Sequence, residues 1–330
     1  MMKLSTMQAV VATLNEQWES PLAEELLARW EHDEECAKYW RSSANFVFFF
    51  KASGRDRVLR FNHASERTAS EIQAELAYIN ALAKSGVRVA QPVCSITGKD
   101  VESVDTGQGR FHAVVFEALP GKQLDLEELT ADQLVRWGRA LAELHQAAPH
   151  YTQPGRPSWQ DQLNTVPKIL PTEERGALEE LARLRRELNQ LAITEQNFGL
   201  IHYDFEPDNL LWDGDQPGII DFDDCAWYWF VADIALAVSD LFDDSARAVD
   251  LQNEAFQHFI TGYRSVRPLA PTELALIPLF IRVQNLVAFT RLYCALTPVN
   301  PAGEPEWMVA LRTKLAAKMQ FYRHEFGGNH

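Results

Sequence analysis

The sequence predicts an α+β chain of two lobes, a small antiparallel sheet carrying one helix and then a larger, mostly helical lobe. Three observations carry this. Residues 38–61 alternate as strands do about a turn at Ser53-Gly54. Residues 69–84 carry one apolar stripe at helical spacing, and from about Thr130 leucine-marked helices dominate.

Taken in order, Met7, Val10, Val11, Leu14 and Trp18 recur at helical spacing and predict an amphipathic N-terminal helix. The segment YWRSSANFVFFFKASGRDRVLRF predicts two strands around Ser53-Gly54. Phe46, Phe48 and Phe50 share one pleat face; beyond the turn Val58 and Arg60 share one face, Leu59 and Phe61 the other. A helix from Ala69 to Lys84 follows, with Ile72, Leu76, Ile79 and Ala83 as its stripe and Gly86 as its stop. Strand-like runs VRVAQPVCSI and RFHAVVFEAL come next, and Pro120-Gly121 break the pattern, so the lobe boundary is placed there: 1–118 and 119–330. Leu134, Trp137, Leu141 and Leu144 mark one later helix, Leu178 to Leu191 another, with Pro149–Pro171 read as a long connection.

Composition narrows the classes. The chain has 330 residues, 46% of them hydrophobic and 23% charged, which suits a globular protein of one large domain or two lobes. No run approaches the length of a membrane helix; the richest, Leu274–Ile281, contains Pro278 and reads as a buried helix. The N-terminus lacks the features of a secretory signal. Cys36, Cys94, Cys225 and Cys294 are scattered and form no metal-ligand pair, as expected of free thiols in a cytoplasmic protein. A net charge of −15 and the lack of a basic, aromatic-interleaved run argue against nucleic-acid binding.

The chemistry is concentrated in GLIHYDFEPDNLLWDGDQPGIIDFDD, residues 199–224. Leu200-Ile201 form a short strand ending at His202 and Asp204, and Asn209 lies five residues beyond Asp204. A hairpin turning at Asp213-Gly214-Asp215 then delivers a second carboxylate, Asp221, beside the first. Phosphoryl transfer needs a carboxylate to orient the attacking hydroxyl and oxygen ligands for a metal on the phosphates. Asp204 suits the first role. Asn209 and Asp221 suit the second, because hard Mg2+ prefers carboxylate and amide oxygens.

The pattern H-x-D-x-x-x-x-N followed by I-D-F resembles the protein-kinase catalytic signature, and IHYDFEPDNLLWD with GIIDFDD resembles the aminoglycoside phosphotransferase and choline kinase superfamily. The resemblance spans roughly residues 40–240 and departs at Tyr203, where that superfamily often has Gly. It implies a protein-kinase-like fold, ATP and Mg2+, Asp204 as catalytic base, Asn209 and Asp221 as metal ligands, and His202 and Asp233 as braces of the catalytic loop. It also implies a cationic side chain on the third strand facing the phosphates, and Arg60 stands there. Of its two potential carboxylate partners, Glu75 lies about 60° from the centre of the apolar stripe and Glu71 about 100°, which favours Glu75. Ser43 and Asn45 are the candidates for the phosphate loop, Val58 for the ceiling over adenine, and Phe116 to Ala118 for the segment that hydrogen-bonds it.

The implied reaction is phosphoryl transfer from ATP to a hydroxyl of a small molecule of the aminoglycoside, amino-alcohol or homoserine type. The carboxylates Glu206, Asp208, Asp223 and Asp224 favour an acceptor that bears an amine. The aromatic run Trp227–Phe230 reads as packing. Two alternatives use the same residues: a protein Ser/Thr kinase of the bacterial stress-response type, for which no A-P-E segment follows Asp221, and a non-catalytic nucleotide-binding pseudokinase, against which the intact Asp204, Asn209 and Asp221 speak. The acceptor and the oligomeric state stay open.

Overall fold

The alternating aromatics at 46–50 do line one face of a strand, and they seed the first of two compact units. In the computed structural model, which describes residues 1–242, 250–297 and 304–327, this unit holds residues 1–77, 90–118 and 291–320. Helices α1 (Leu4–Val11) and α2 (Pro21–Leu27) precede strands β1 (Lys38–Ser42), β2 (Phe46–Ala52) and β3 (Arg55–His63) and helix α3 (Ala69–Lys84). Strands β4 (Pro92–Val93), β5 (Glu102–Thr106) and β6 (Gly109–Glu117) follow. The sheet runs β1-β2-β3-β6-β4, with β5 also on β6, and every pairing is antiparallel. Phe61 lies 5.2 Å from Phe46, 5.5 Å from Phe48 and 5.7 Å from Phe111, ring centre to ring centre, and all four rings are buried.

Two local departures have identifiable causes. The first helix stops at Val11 instead of reaching Trp18. Asn15 Oδ1 accepts from the backbone nitrogens of Gln17 and Glu19, both at 2.9 Å, a turn that competes with helical bonding; Trp18 is left at φ 62°, stacked on Tyr39. Residues 38–61 give three strands, not two, because the chain also reverses at Ser43–Asn45. The Ser53-Gly54 turn holds left-handed backbone at both residues (φ 51° and 70°), and Asp33 accepts from both backbone nitrogens at 2.8 and 2.9 Å.

The second unit holds residues 78–89, 119–290 and the chain from Phe321 on. Its helices α4 (Ala131–Ala147), α5 (Trp159–Ile169) and α6 (Arg175–Leu188) lead to β7 (Phe198–Ile201), β8 (Leu210–Asp213), β9 (Gln216–Ile219) and β10 (Ala226–Trp229). Helices α7 (Phe230–Ala237), α8 (Glu254–Arg264) and α9 (Pro271–Leu274) follow, then the long α10 (Ile277–Leu296) and α11 (Glu306–Gly327), of which residues 291–296 and 306–320 belong to the first unit. β7 pairs with β10, and β8 with β9 in the expected hairpin.

The stretch Pro149–Pro171 is not a plain connection. Ser158 caps α5 in a reciprocal box with Asp161. Trp159, Leu163 and Val166 then bury one face at helical spacing. Gly138 on α4 and Gly262 on α8 bring these helices close enough that a Cβ at either would stand 1.9 or 1.8 Å from a carbonyl oxygen of the other helix. Pro271–Leu296 is long and apolar enough by composition to cross a membrane, contrary to the sequence reading, a property that core helices share. Ile277, Phe280, Val283 and Leu286 are among its buried side chains.

Candidate active site

The second unit assembles the loop from its two ends. Leu200 and Ile201 are fully buried on β7, and Tyr78 donates to the Leu200 carbonyl at 2.6 Å. The chain leaves the strand at His202, itself fully buried. The Ile220 carbonyl can only accept, so His202 Nε2 carries the proton and donates to it at 2.9 Å. Nδ1 is thereby left as the acceptor for the Asp204 backbone nitrogen at 3.3 Å. Burial holds this imidazole below its ordinary pKa, so it stays neutral and acts as a strut between loop and hairpin.

Asp233, in the first turn of α7 and fully buried, accepts from the backbone nitrogens of His202 and Tyr203, both at 2.8 Å. This is the anchoring contact the sequence suggested for Asp233. Its Oδ2 also meets His145 Nε2 at 3.1 Å, and His145 Nδ1 meets the Tyr263 hydroxyl at 2.8 Å. His145 and Tyr263 escaped the sequence reading. The available signal was His145 itself, four residues beyond Leu141 on the apolar face of α4.

Asn209 closes the 3₁₀ turn Pro207–Asn209, and its Nδ2 donates to both the carbonyl oxygen and Oδ2 of Asp204, each at 2.8 Å. Its own carbonyl accepts from Ile220 N at 3.0 Å, tying the loop to the hairpin. Asp221 then takes left-handed backbone, φ 64° and ψ 60°, and opens the 3₁₀ turn Phe222–Asp224. His202, Asp204, Asn209 and Asp221 are thus linked around one loop and one hairpin end.

The electrostatics are those of crowded acids. Burial, and then the charges of Glu206, Asp224, Asp221 and Asp223, push Asp204 well above the ordinary carboxylate range. Asp208, grouped with them from the sequence, is instead exposed, and its carbonyl accepts from Gln123. Among the described residues no three His, Cys, Asp or Glu side chains form a ready-made metal site. Magnesium commonly uses only one or two carboxylates along with phosphate and water. The carboxylate of Asp221 and the amide oxygen of Asn209 fit that requirement, and a cation would offset the repulsion that Asp204 feels.

In the first unit Arg60 and Glu75 form a two-pronged pair, Nη1 to Oε1 and Nη2 to Oε2, both at 2.8 Å, with both side chains buried. The guanidinium also lies 5.0 Å over the Phe116 ring. Glu71 takes the other role, accepting from Thr68 at the start of α3. Arg67 also reaches Glu75, at 3.9 Å, a neighbour that no local spacing points to. Ser43 is exposed and Asn45 buried at the β1–β2 reversal, where Ser43 N donates to the Asn45 carbonyl at 3.3 Å. Val58 is half-buried on β3 opposite Phe116 of β6, and Ala118 N lies 3.4 Å from the Asp56 carbonyl.

An antiparallel sheet with one helix, a buried Arg–Glu pair, and a helical unit bearing a His-x-Asp loop and an Asp-bearing hairpin define the class: phosphotransferases of protein-kinase-like fold. The chain belongs to the Phosphotransferase enzyme family, whose profile matches residues 13–269. It is 28% identical over 302 residues to the amicoumacin kinase of Bacillus subtilis, spanning 87% of this chain and 88% of that one. Among solved structures it is similar to amicoumacin kinase hAmiN in complex with AMP-PNP, Ca2+ and Ami (TM-score 0.76, 24% identity, 95% of this chain and 96% of that one). It is also similar to a microcompartment-associated aminopropanol kinase (TM-score 0.67, 24% identity, 93% and 98%).

Proposed function

We propose that this protein transfers the γ-phosphoryl group of ATP to a hydroxyl of a small, amine-bearing molecule. The observation that carries the reading is the bonding of Asn209 to Asp204 and of Asn209 to Ile220, the residue directly before Asp221. In this reading residues 1–118 serve as the nucleotide-binding lobe, with Arg60, oriented by Glu75, on the phosphates and Ser43, Asn45, Val58, Phe116 and Ala118 around the nucleotide. Residues 119–330 carry the catalytic loop and the acceptor site.

Asp204 orients the acceptor hydroxyl and takes its proton as the new oxygen–phosphorus bond forms and the bond to the ADP oxygen breaks. The amide of Asn209 holds the Asp204 carboxylate through Nδ2, and its oxygen, with Asp221, would hold the metal. Magnesium held there would neutralise phosphate charge. Two relatives support the acceptor class: an amicoumacin kinase and an aminopropanol kinase are small-molecule kinases, the second named for an amino alcohol. Glu206, Asp223 and Asp224 support the amine. A cation about 4 Å from one carboxylate gains on the order of 4 kcal/mol before desolvation at an intermediate dielectric.

The test is ATP consumption with magnesium over a panel of amino alcohols, amino acids, aminoglycosides and neutral sugars of matched size. The expected outcome is turnover of amine-bearing members that falls on N-acetylation. Preference for the neutral set defeats the amine, and peptide phosphorylation without small-molecule turnover defeats the acceptor class. With a substrate in hand, Asp204→Asn should lose about 10²- to 10⁴-fold in kcat while nucleotide affinity stays near wild type.

A further inference from the structure

Asp221 adopts a left-handed backbone, which is strained for a non-glycine residue and persists only where the surroundings fix it. Upstream the fixing bonds come from the motif itself: His202 Nε2 to the Ile220 carbonyl and Ile220 N to the Asn209 carbonyl. Downstream, the turn Phe222–Asp224 is closed by Cys225 N donating to the Phe222 carbonyl at 3.0 Å.

A second restraint arrives from far away in sequence. Arg156, only 8% exposed, donates from Nε to the Cys225 carbonyl at 2.9 Å and from Nη2 to the Asp223 carbonyl. Its neighbours are stitched to the same segment: the Pro157 carbonyl accepts from Trp227 N at 2.9 Å, and Ser158 bridges Trp227 before capping α5. Pro157 follows the arginine and restricts the backbone on that side.

We propose that Arg156 is a positioning residue for the metal-binding turn, its planar fork clamping two carbonyls so that Asp221 keeps its left-handed backbone. The inference rests on the reading of Asp221 as a metal ligand. A guanidinium suits the task because its donors diverge in one plane at fixed spacing, whereas a lysine offers a single mobile ammonium. Its permanent charge also lies beside a turn carrying three acids, Asp221, Asp223 and Asp224, of which Asp223 is buried.

The experiment is calorimetric binding of a non-hydrolysable ATP analogue over a magnesium series, for wild type, Arg156→Lys and Arg156→Ala, with unfolding midpoints measured alongside. The magnesium requirement of Arg156→Ala should rise about 10- to 100-fold, the usual cost of losing a group that orients a metal ligand. Its metal-free nucleotide affinity should stay unchanged. Millimolar guanidinium chloride should restore much of the loss in Arg156→Ala and none in Arg156→Lys, where the ammonium fills the site. A folded Arg156→Ala with the wild-type magnesium requirement overturns the proposal, as does a defect that guanidinium leaves untouched. Should Arg156→Ala fail to fold, a folded Arg156→Lys with wild-type magnesium dependence overturns it equally. A wild-type protein that binds the analogue without regard to magnesium overturns the metal reading of Asp221, and this inference with it; a magnesium-responsive wild type with unaltered variants overturns only the role of Arg156.

Discussion

At the scale of single residues, the pair Arg60–Glu75 is the cleanest case of chemistry set by burial. Both side chains are shielded and joined by one hydrogen bond and a second ion contact, so losing one removes the other's main counter-charge, and breaking a buried pair in this way typically costs about 3–5 kcal/mol. If Glu75 acts by orienting Arg60, then Arg60→Ala should weaken ATP binding most and Glu75→Ala less. The double variant should be no weaker than Arg60→Ala. Calorimetry decides: additive losses would separate the two roles and leave Arg60 with the phosphates alone. The position of Glu75 was legible because one helix stripe sets one direction, and Glu71 at 100° from it turned out to cap the helix instead. His145, Tyr263 and Arg156 were not legible. Each acts on the loop through a contact between segments distant in sequence, 88, 118 and 67–69 residues apart, and no local spacing encodes such a meeting.

Among the elements, α4 and α8 show why glycine can be the better helix residue. Helix propensity alone says that Gly138→Ala or Gly262→Ala should stabilise by about 0.8–1.0 kcal/mol. Close packing says the reverse, because the new methyl would meet a backbone carbonyl at less than 2 Å and the helices would have to part; overpacking of this kind costs about 1–3 kcal/mol. The two terms have opposite signs, so the urea midpoint settles the matter, and a lowered midpoint is expected for both variants. Parting α4 from α8 would also pull His145 from Tyr263, so a loss of turnover beyond the loss of stability should accompany it. The element order was largely legible: α3 occurs at the expected bounds, and the β8–β9 hairpin follows its turn residues. Helix α5 was hidden because prolines and glycine before Ser158 masked its cap, and β5 because its short alternation lies among polar residues.

For the whole molecule the question is how acid affects stability, since two physical effects compete. With 46 acidic against 31 basic residues the chain carries a charge of −15. Lowering the pH relieves self-repulsion and on that ground should stabilise the fold. The buried imidazoles oppose this. Burial depresses the pKa of both His145 and His202, so below the ordinary histidine value of about 6.5 the unfolded chain takes up protons that the folded chain refuses. Each then contributes stability that is complete above about pH 6.5 and drains away as pH falls toward its folded pKa, at up to about 1.4 kcal/mol per pH unit. The raised pKa of Asp204 works in the other direction, since its folded form accepts a proton more readily than its unfolded form. Self-repulsion between exposed charges is screened by salt, whereas the imidazoles are fully buried and are not. In high salt the midpoint of urea unfolding should therefore fall between pH 7 and 5.5. In His145→Gln it should fall less steeply, and in that comparison the surface and Asp204 contributions are common to both proteins. Parallel curves for the two proteins would show that folding leaves the pKa of His145 unshifted, and a steeper fall in His145→Gln would show that His145 carries its proton in the folded chain, its contact with Asp233 an ion pair instead of a neutral hydrogen bond.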